Sequence, residues 1–568
     1  MSQNTILPHF ILPRLPPKLY MLIDPQESET MPQPVINESL CFYLNDIKHH
    51  INTHEYMWET FKRFTNTYEY IHTTIPYKKH CISRYRPISR SFFKMIELIH
   101  FFELGTNSEN SMKTFHLAEG PGGFIEAMVK YRVRSDDKYI GMTLLDKNNN
   151  DYNIPAWKKT QHFLQENKNV HIESGLDKTG NILSIDNFVY IHELYGSSMD
   201  LITADGGFDF SVDFDHQEIN MTKLLYGQIV YALCMQKQGG HFVLKIFDIF
   251  MQHTVDMLVL LSSMYERVYI TKPNTSRSAN SEKYIVCKGF IHASSYQFFP
   301  YLYKSFRKIL QMGQRAEGPL IQLTSKVASP PELVEKRLQG TEAPQSTQHP
   351  KGASCELRSL TEGAQGLRPP KGVSDPLPKY ISRIFCNVPS QHFFMNRLEE
   401  YNIIIGQNQI ENIYITLSFI VGECMPQSRS LLLPYGLGAS IPSHNLNLCT
   451  TNFVGGRRPP DKFGKGASVP CSLNATNFVG GIRPPEKFGG SNHISGDFRL
   501  LTNNESMLAM KDTFKGIECI EFPESAKGTV ADTPNQRNFY RTKIQNLIKT
   551  NIQKCVQWCI QHNLAYNY

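Results

Sequence analysis

The chain has 568 residues, a formal net charge of +7 and 12 cysteines, and its length suits three or four domains at roughly 150 residues each. So mild a positive balance singles out no partner, so where the basic residues cluster matters more than their sum. No apolar run approaches the ~20 residues that span a bilayer, residues 1–20 lack the order of a secretory signal, and there is no CxxC pair. These features predict a soluble chain in a reducing compartment, with no membrane partner and no metal site.

Residues 1–76 read as a proline-rich extended arm (1–36) followed by helices, where Leu44, Ile47, Ile51, Tyr56, Phe61 and Phe64 recur at helical steps. The next stretch, Tyr77 to Lys94, holds Lys78, Lys79, Arg84, Arg86, Arg90 and Lys94 among Tyr77, Tyr85, Phe92 and Phe93, with no acidic residue. Such mixing suits a phosphate backbone with stacked bases; it equally suits a solvated basic surface. Ser89 or Ser91 is expected to cap a helix from about Arg90 to Phe102.

Strand and helix signals then alternate. The strands are expected at Thr114–Ala118, Tyr139–Leu144, Asn169–Ile172, Met199–Ala204, His241–Ile246, Val268–Thr271 and Tyr284–Cys287. Helical stretches include Ile125–Tyr131, Glu218–Met235 and Thr254–Ser263. This pattern predicts an α/β fold with a mostly parallel sheet covered on both faces, its last two strands an antiparallel pair at one edge. Residues 316–378 and 426–495 read as disordered insertions. The second contains TNFVGGRRPPDKFGKG (451–466), repeated as TNFVGGIRPPEKFGGS (476–491). Two Gly/Pro-rich copies cannot stack into a solenoid, so they read as a duplicated insertion or an error of gene structure. Between them, 379–425 reads as a second folded unit. Residues 496–568 form a last segment ending in an amphipathic helix, Asn538–Gln561. Cys555 and Cys559 on that helix are expected to be small apolar residues of a buried face.

Four places can carry chemistry. At 115–124, FHLAEGPGGF, an apolar run meets a glycine turn and a helix, the arrangement that offers backbone N–H groups to a polar ligand. A dinucleotide site wants G-x-G-x-x-G. Here Gly120, Gly122 and Gly123 are followed by Phe124, and Pro121 removes a donor, which disfavours a pyrophosphate and leaves an adenosyl-amino-acid or a plain turn. Asp205 ends the run LITA before Gly206-Gly207, where α/β sheets face their ligands. Lys245 lies in GGHFVLKIF among strong β-formers, where a lysine is expensive without partners. Glu282 precedes YIVC and is by itself an ordinary acid.

Taken in order, Lys94 in SRSFFKMIEL, the glycine loop, Asp205 in LITADGGFD, Lys245 in GGHFVLKIFD and Glu282 in SRSANSEKYIVCKGF resemble the FtsJ-like family of RNA 2′-O-methyltransferases. GMTL at 141–144, ADGGF at 204–208 and KPNTSRSANSEKYIVCKGF at 272–290 look like its Adrift-type branch of cap methyltransferases. The whole is also similar to the homologue in large cytoplasmic DNA viruses of the African swine fever virus type. The resemblance implies a Rossmann-like domain over 77–300 that uses S-adenosyl-L-methionine (SAM), with Lys94, Asp205, Lys245 and Glu282 as the catalytic tetrad and Lys245 as general base. It implies that Glu119, Gly120, Pro121, Gly122, Gly123 and Phe124 hold the methionine part of SAM, with Asp146 at the ribose and Asn181 and Ile182 at the adenine. Lys78, Lys79, Arg84, Arg86, Arg90 and Arg277 would bind capped mRNA. Other capping or transcription machinery is a further expected partner, a cytoplasmic site is expected, and virion packaging follows from the viral likeness. Two alternatives stay open: an rRNA or tRNA 2′-O-methyltransferase, and a non-catalytic RNA- or cap-binding subunit on the same scaffold.

Overall fold

The computed structural model describes residues 7–106, 110–145, 154, 156–207, 216–312, 379–388, 391–424 and 534–567. The insertions expected at 316–378 and 426–495, and Asp146, lie outside the described residues. So do residues 425–533. The remaining structure belongs to a single unit.

Its strands are β1 (His9–Leu12), β2 (Ile23–Ser28), β3 (Lys113–Leu117), β4 (Lys138–Met142), β5 (Val170–Glu173), β6 (Met199–Ala204), β7 (Gln236–Ile246), β8 (Tyr265–Thr271), β9 (Lys283–Phe290) and β10 (Tyr380–Phe385). Its helices are α1 (Glu38–Asn52), α2 (Glu55–Thr65), α3 (Ser91–Phe102), α4 (Gly123–Arg132), α5 (Gln161–Glu166), α6 (Ile185–Tyr195), α7 (Gln217–Asn220), α8 (Thr222–Met235), α9 (Gln252–Met264), α10 (Phe299–Gln311), α11 (His392–Cys424) and α12 (Pro534–Gln561). None of the described helices is long and apolar enough to cross a membrane.

Eight strands form one sheet in the order β1-β8-β9-β7-β6-β3-β4-β5. β5, β4, β3, β6 and β7 run parallel, in register at Leu117↔Met142, Leu117↔Ala204 and Ala204↔Leu244. Central β3 and β6 are covered on both faces: Phe115, Leu117, Leu201, Ile202 and Ala204 are all buried, and so are Thr114, His116 and Thr203, which hydrogen-bond one another in a row. From β3 the chain first builds outward through β4 and β5, then returns to the other side with β6. The crevice between the carboxyl ends of β3 and β6 is therefore a topological switch point, where such sheets bind ligands.

The alternating fold is the one expected, with three differences. β8 and β9 pair antiparallel, but β9 lies inside, between β7 and β8. The edge is β1, supplied by the supposed arm, with His9 opposite Thr271. Second, residues 379–424 are not a separate unit: β10 pairs with β2 of the arm, and Asp256 of α9 accepts the N–H of Ile384 at 2.9 Å. Third, neither serine caps α3. Arg90 holds the cap position without a side-chain bond, and the Ser89 and Ser91 hydroxyls bond each other at 2.5 Å. Cys555 and Cys559 are buried on α12, where burial pushes both thiols up.

One charged cluster sits deep in this fold. Asp248, just past β7, meets Lys48 of α1 at 3.0 Å and Lys283 of β9 at 3.2 Å and accepts the Ser281 hydroxyl at 2.9 Å. Burial pushes its carboxyl up, but the two lysines outweigh this and hold it well below the usual range. Asp248→Ala would leave two buried ammonium groups without their counter-ion, a change that costs about 3–5 kcal/mol. A thermal melt of the variant should show a large loss of Tm; a melt matching wild type would contradict the cluster's role.

Candidate functional site

Five chain segments converge at the switch point. The loop after β3 runs from Ala118 to Gly122, with a cis peptide at Gly120–Pro121. Asp205 follows β6 and Lys245 closes on β7, directly opposite Tyr284 of β9. Glu282 stands one residue before β9, and Lys94 reaches in from α3, which packs against α4.

The four tetrad candidates form two ion pairs. The Lys94 ammonium lies 2.7 Å from both carboxylate oxygens of Glu282. Lys245 Nζ donates to the Asp205 carbonyl at 2.5 Å and lies 3.2 Å from its Oδ1, which also accepts the Tyr284 hydroxyl at 3.0 Å. Burial lowers the Lys94 pKa, and Arg90 and Lys245 add to this against Glu282 and Asp205. Burial pushes the Glu282 carboxyl up, but Lys94, Lys245 and Lys272 together hold it well below its ordinary range.

Sequence reasoning missed several partners. Lys272, next after β8, donates to the carbonyls of Asn280 (2.5 Å) and Glu282 (2.7 Å), and burial pushes its ammonium down to about 7. Ser276 donates to Glu282 Oε1 at 2.8 Å. Glu97, one turn beyond Lys94 on α3, accepts the N–H groups of Asn274 (2.8 Å) and Thr275 (2.7 Å). Tyr284 was within reach, since any antiparallel β7–β9 register opposes a β9 residue to Lys245. Glu97 and Lys272 had no such signal, because their role depends on a loop conformation. Among the described residues, no group of three or more His, Cys, Asp or Glu side chains is placed to hold a metal.

The glycine loop differs from the reading of it as an open cradle. A Cβ on Gly120 would lie 2.7 Å from the Ala156 carbonyl, and one on Gly123 would lie 2.2 Å from Ser91 Oγ. At Gly120 and Gly123 the missing side chain thus lets other protein segments approach closely. The helix end is occupied too: Glu119 Oε1 accepts the N–H groups of Phe124 (2.7 Å) and Ile125 (3.1 Å) of α4. Its Oε2 is buried without a partner. Burial raises the Glu119 pKa to about 8, and the charge of Asp205 adds to this.

The remaining expected cofactor residues divide. Phe124 and Ile182 bury their side chains, Phe124 against the Tyr284 ring at 6.0 Å, so neither presents itself freely to a ligand. Asn181 shapes its own turn, accepting the Leu183 N–H at 2.9 Å. That turn does press on the carboxyl end of β4, since Gly180 has no room for a Cβ beside the Thr143 carbonyl. The six expected RNA contacts also separate. Lys79, Arg84 and Arg86 are exposed and Lys78 half-buried; Arg84 also donates to Asn567 at 3.2 Å. Arg90 instead donates to the Thr275 carbonyl (3.3 Å) and Arg277 to Glu69 (2.8 and 3.1 Å), so these two brace the loop before Glu282.

Comparison with known proteins fits this geometry. Residues 87–290 match the FtsJ-like methyltransferase family. Cap-specific mRNA (nucleoside-2'-O-)-methyltransferase 1 of Danio rerio is 35% identical over 222 residues, 36% of this chain and 26% of that protein. The Homo sapiens protein of the same name is 38% identical over 175 residues, 30% of this chain and 20% of its own. The Caenorhabditis briggsae protein named inactive cap-specific mRNA (nucleoside-2'-O-)-methyltransferase 1B is 31% identical over 196 residues, 33% of this chain and 22% of its own. The chain thus matches no more than 26% of the length of these relatives.

Glu119 carries a pH signature. Its folded pKa, about 8, lies above its ordinary 4.5. Its protonation therefore favours the folded state fully below the ordinary value, and that contribution is lost as pH rises through about 8. Thermal melts of wild type and Glu119→Gln from pH 5 to 8.5 should show wild type losing Tm relative to the variant across this window. Parallel curves would mean that the carboxyl is not buried as described.

Proposed function

We propose that this protein transfers a methyl group from SAM to a ribose 2′-hydroxyl of RNA, at a nucleotide next to the 5′ cap. The observation that carries this reading is the double lysine–carboxylate pair at the switch point, with Glu119 beside it. A pyrophosphate is a poor fit, because the first turn of α4 already holds a carboxylate. The buried Glu119 carboxyl, whose Oε2 lacks a partner, would be drawn into its ionised form by the positive sulfonium and amino groups of SAM and could then accept from the amino or hydroxyl groups. Residues 119–123, Asn181 and the 180–182 turn beside β4 would hold it, along with Asp146.

When bound, SAM supplies an electrophilic methyl group. The protein's part is to align the attacking hydroxyl at ~3 Å and to take its proton. Lys94 is locked onto both oxygens of Glu282, which suits it to orienting the hydroxyl. Lys245 is held by Asp205 and lies over the Phe247 ring, and Gly207 beside its Nζ carries no side chain to block approach, so Lys245, once its ammonium has given up its own proton, is the amine base that takes the hydroxyl proton. Tyr284 fixes Asp205. Lys78, Lys79, Arg84 and Arg86 would guide the RNA backbone toward the site. Action on a cap-proximal nucleotide is supported by the names of the relatives matched over 87–290. The finer reading, a viral protein of the African swine fever virus type working in the cytoplasm beside other capping or transcription machinery, rests on sequence resemblance alone.

The test is mass spectrometry of a short capped RNA, and of the same RNA uncapped, after incubation with the protein and SAM. One added methyl on the first or second ribose of the capped RNA is expected. Equal transfer to uncapped RNA would refute cap specificity. Lys245→Ala should lose about 10²- to 10⁴-fold in rate while binding SAM as wild type does in calorimetry; retained turnover would remove Lys245 from the role of base.

A further inference from the structure

α11 is 33 residues long and follows the catalytic sheet by a wide gap in sequence. Its inner face carries a polar row, Asn402, Gln409, Asn412 and Thr416, at spacings that share one side of a helix. Asn402, Gln409 and Thr416 are buried. Polar groups there cost stability unless each finds a partner, and all of these find one on another element. Asn402 Nδ2 donates to the Ile249 carbonyl at 2.6 Å. Gln409 Nε2 donates to the Ala279 carbonyl at 3.0 Å and to Ser281 Oγ at 3.1 Å. Asn412 and Thr416 reach the end of α2 instead, at the Thr65 carbonyl (3.4 Å) and hydroxyl (2.7 Å).

The first two contacts flank the charge cluster. Ile249 lies four residues past Lys245, and Ala279 and Ser281 lie three and one before Glu282. We propose that α11 is a splint for the site, with Gln409 and Asn402 as positioning residues that hold the segment before Glu282 and the segment after Lys245. An apolar side chain would dock the helix as well; an amide adds direction, because one carbonyl and one hydroxyl must both lie along its N–H bonds. Glu97 fixes the start of the same loop through the N–H groups of Asn274 and Thr275, so Gln409 closes a clamp on its other end. The reach of this inference to catalysis rests on the function proposed above; its reach to the loop does not.

The test compares Gln409→Met, of similar size but without the amide, with Thr416→Val, which removes a buried bond of the same helix to α2. Both are made in the full chain. Hydrogen–deuterium exchange should quicken in the peptide spanning 274–283 for Gln409→Met and stay as wild type there for Thr416→Val. On capped RNA, Gln409→Met should lower kcat about tenfold with KM for RNA within about twofold, since a misplacement of ~1 Å can cost up to ~10²-fold, while Thr416→Val should keep kcat within about twofold. Equal exchange in the two variants, or an unchanged kcat in Gln409→Met, overturns the splint. If wild type methylates no capped RNA, the proposed function fails by itself, and the exchange comparison still decides whether α11 holds the loop.

Discussion

The switch point depends on burying lysines, and Lys48, Lys94, Lys245 and Lys283 are each given a carboxylate partner. A lone ammonium in a protein interior is untenable, and a paired one is tolerated only with good geometry and every donor used. The sequence Ser281-Glu282-Lys283 shows the solution at its tightest. Ser281 and Lys283 turn to Asp248, which also holds Lys48, and Glu282 between them turns to Lys94. Alternation at the start of β9 thus divides two charge clusters between the two faces of one strand end. Structural and chemical demands fall on neighbouring residues, and neither cluster can shift without straining the other.

The loop after β3 illustrates how a familiar pattern can carry a different meaning. A helix N-terminus after a glycine turn is a ready anion site. Here the protein fills the helix end with its own carboxyl group, Glu119, and the glycines serve the approach of Ala156 and the α3 terminus. Filling the helix end internally takes up N–H groups that a phosphate would use and leaves one carboxyl oxygen without a partner.

Much of this was legible in the sequence because periodicity reports burial. Met199–Ala204 stands where its apolar run put it, and Gln217–Asn220 and Thr222–Met235 fill the helix expected at Glu218–Met235. Lys245 stood out for the same reason, as a charge among β-formers. What could not be read was set by tertiary contact. The proline-rich arm gives no strand signal for His9–Leu12, because that strand exists only where β8 offers it an edge. Phe124 and Ile182 carry no mark in sequence that distinguishes a ligand wall from core. Arg90 and Arg277 look like part of a basic surface until Thr275 and Glu69 claim them.

The pairing of β1 with β8 and of β2 with β10 has a consequence for how the chain reaches this state. His9 waits for Thr271, and Ser28 for Tyr380, so the first strands made find their partners last. Contacts of such long sequence separation form slowly. Until β1 docks, β8 presents on that side an unpaired edge of the kind that invites pairing with another chain. The N-terminal strand therefore acts as the closing seal of the sheet, and the nascent protein is at its most vulnerable to self-association just before that seal is made.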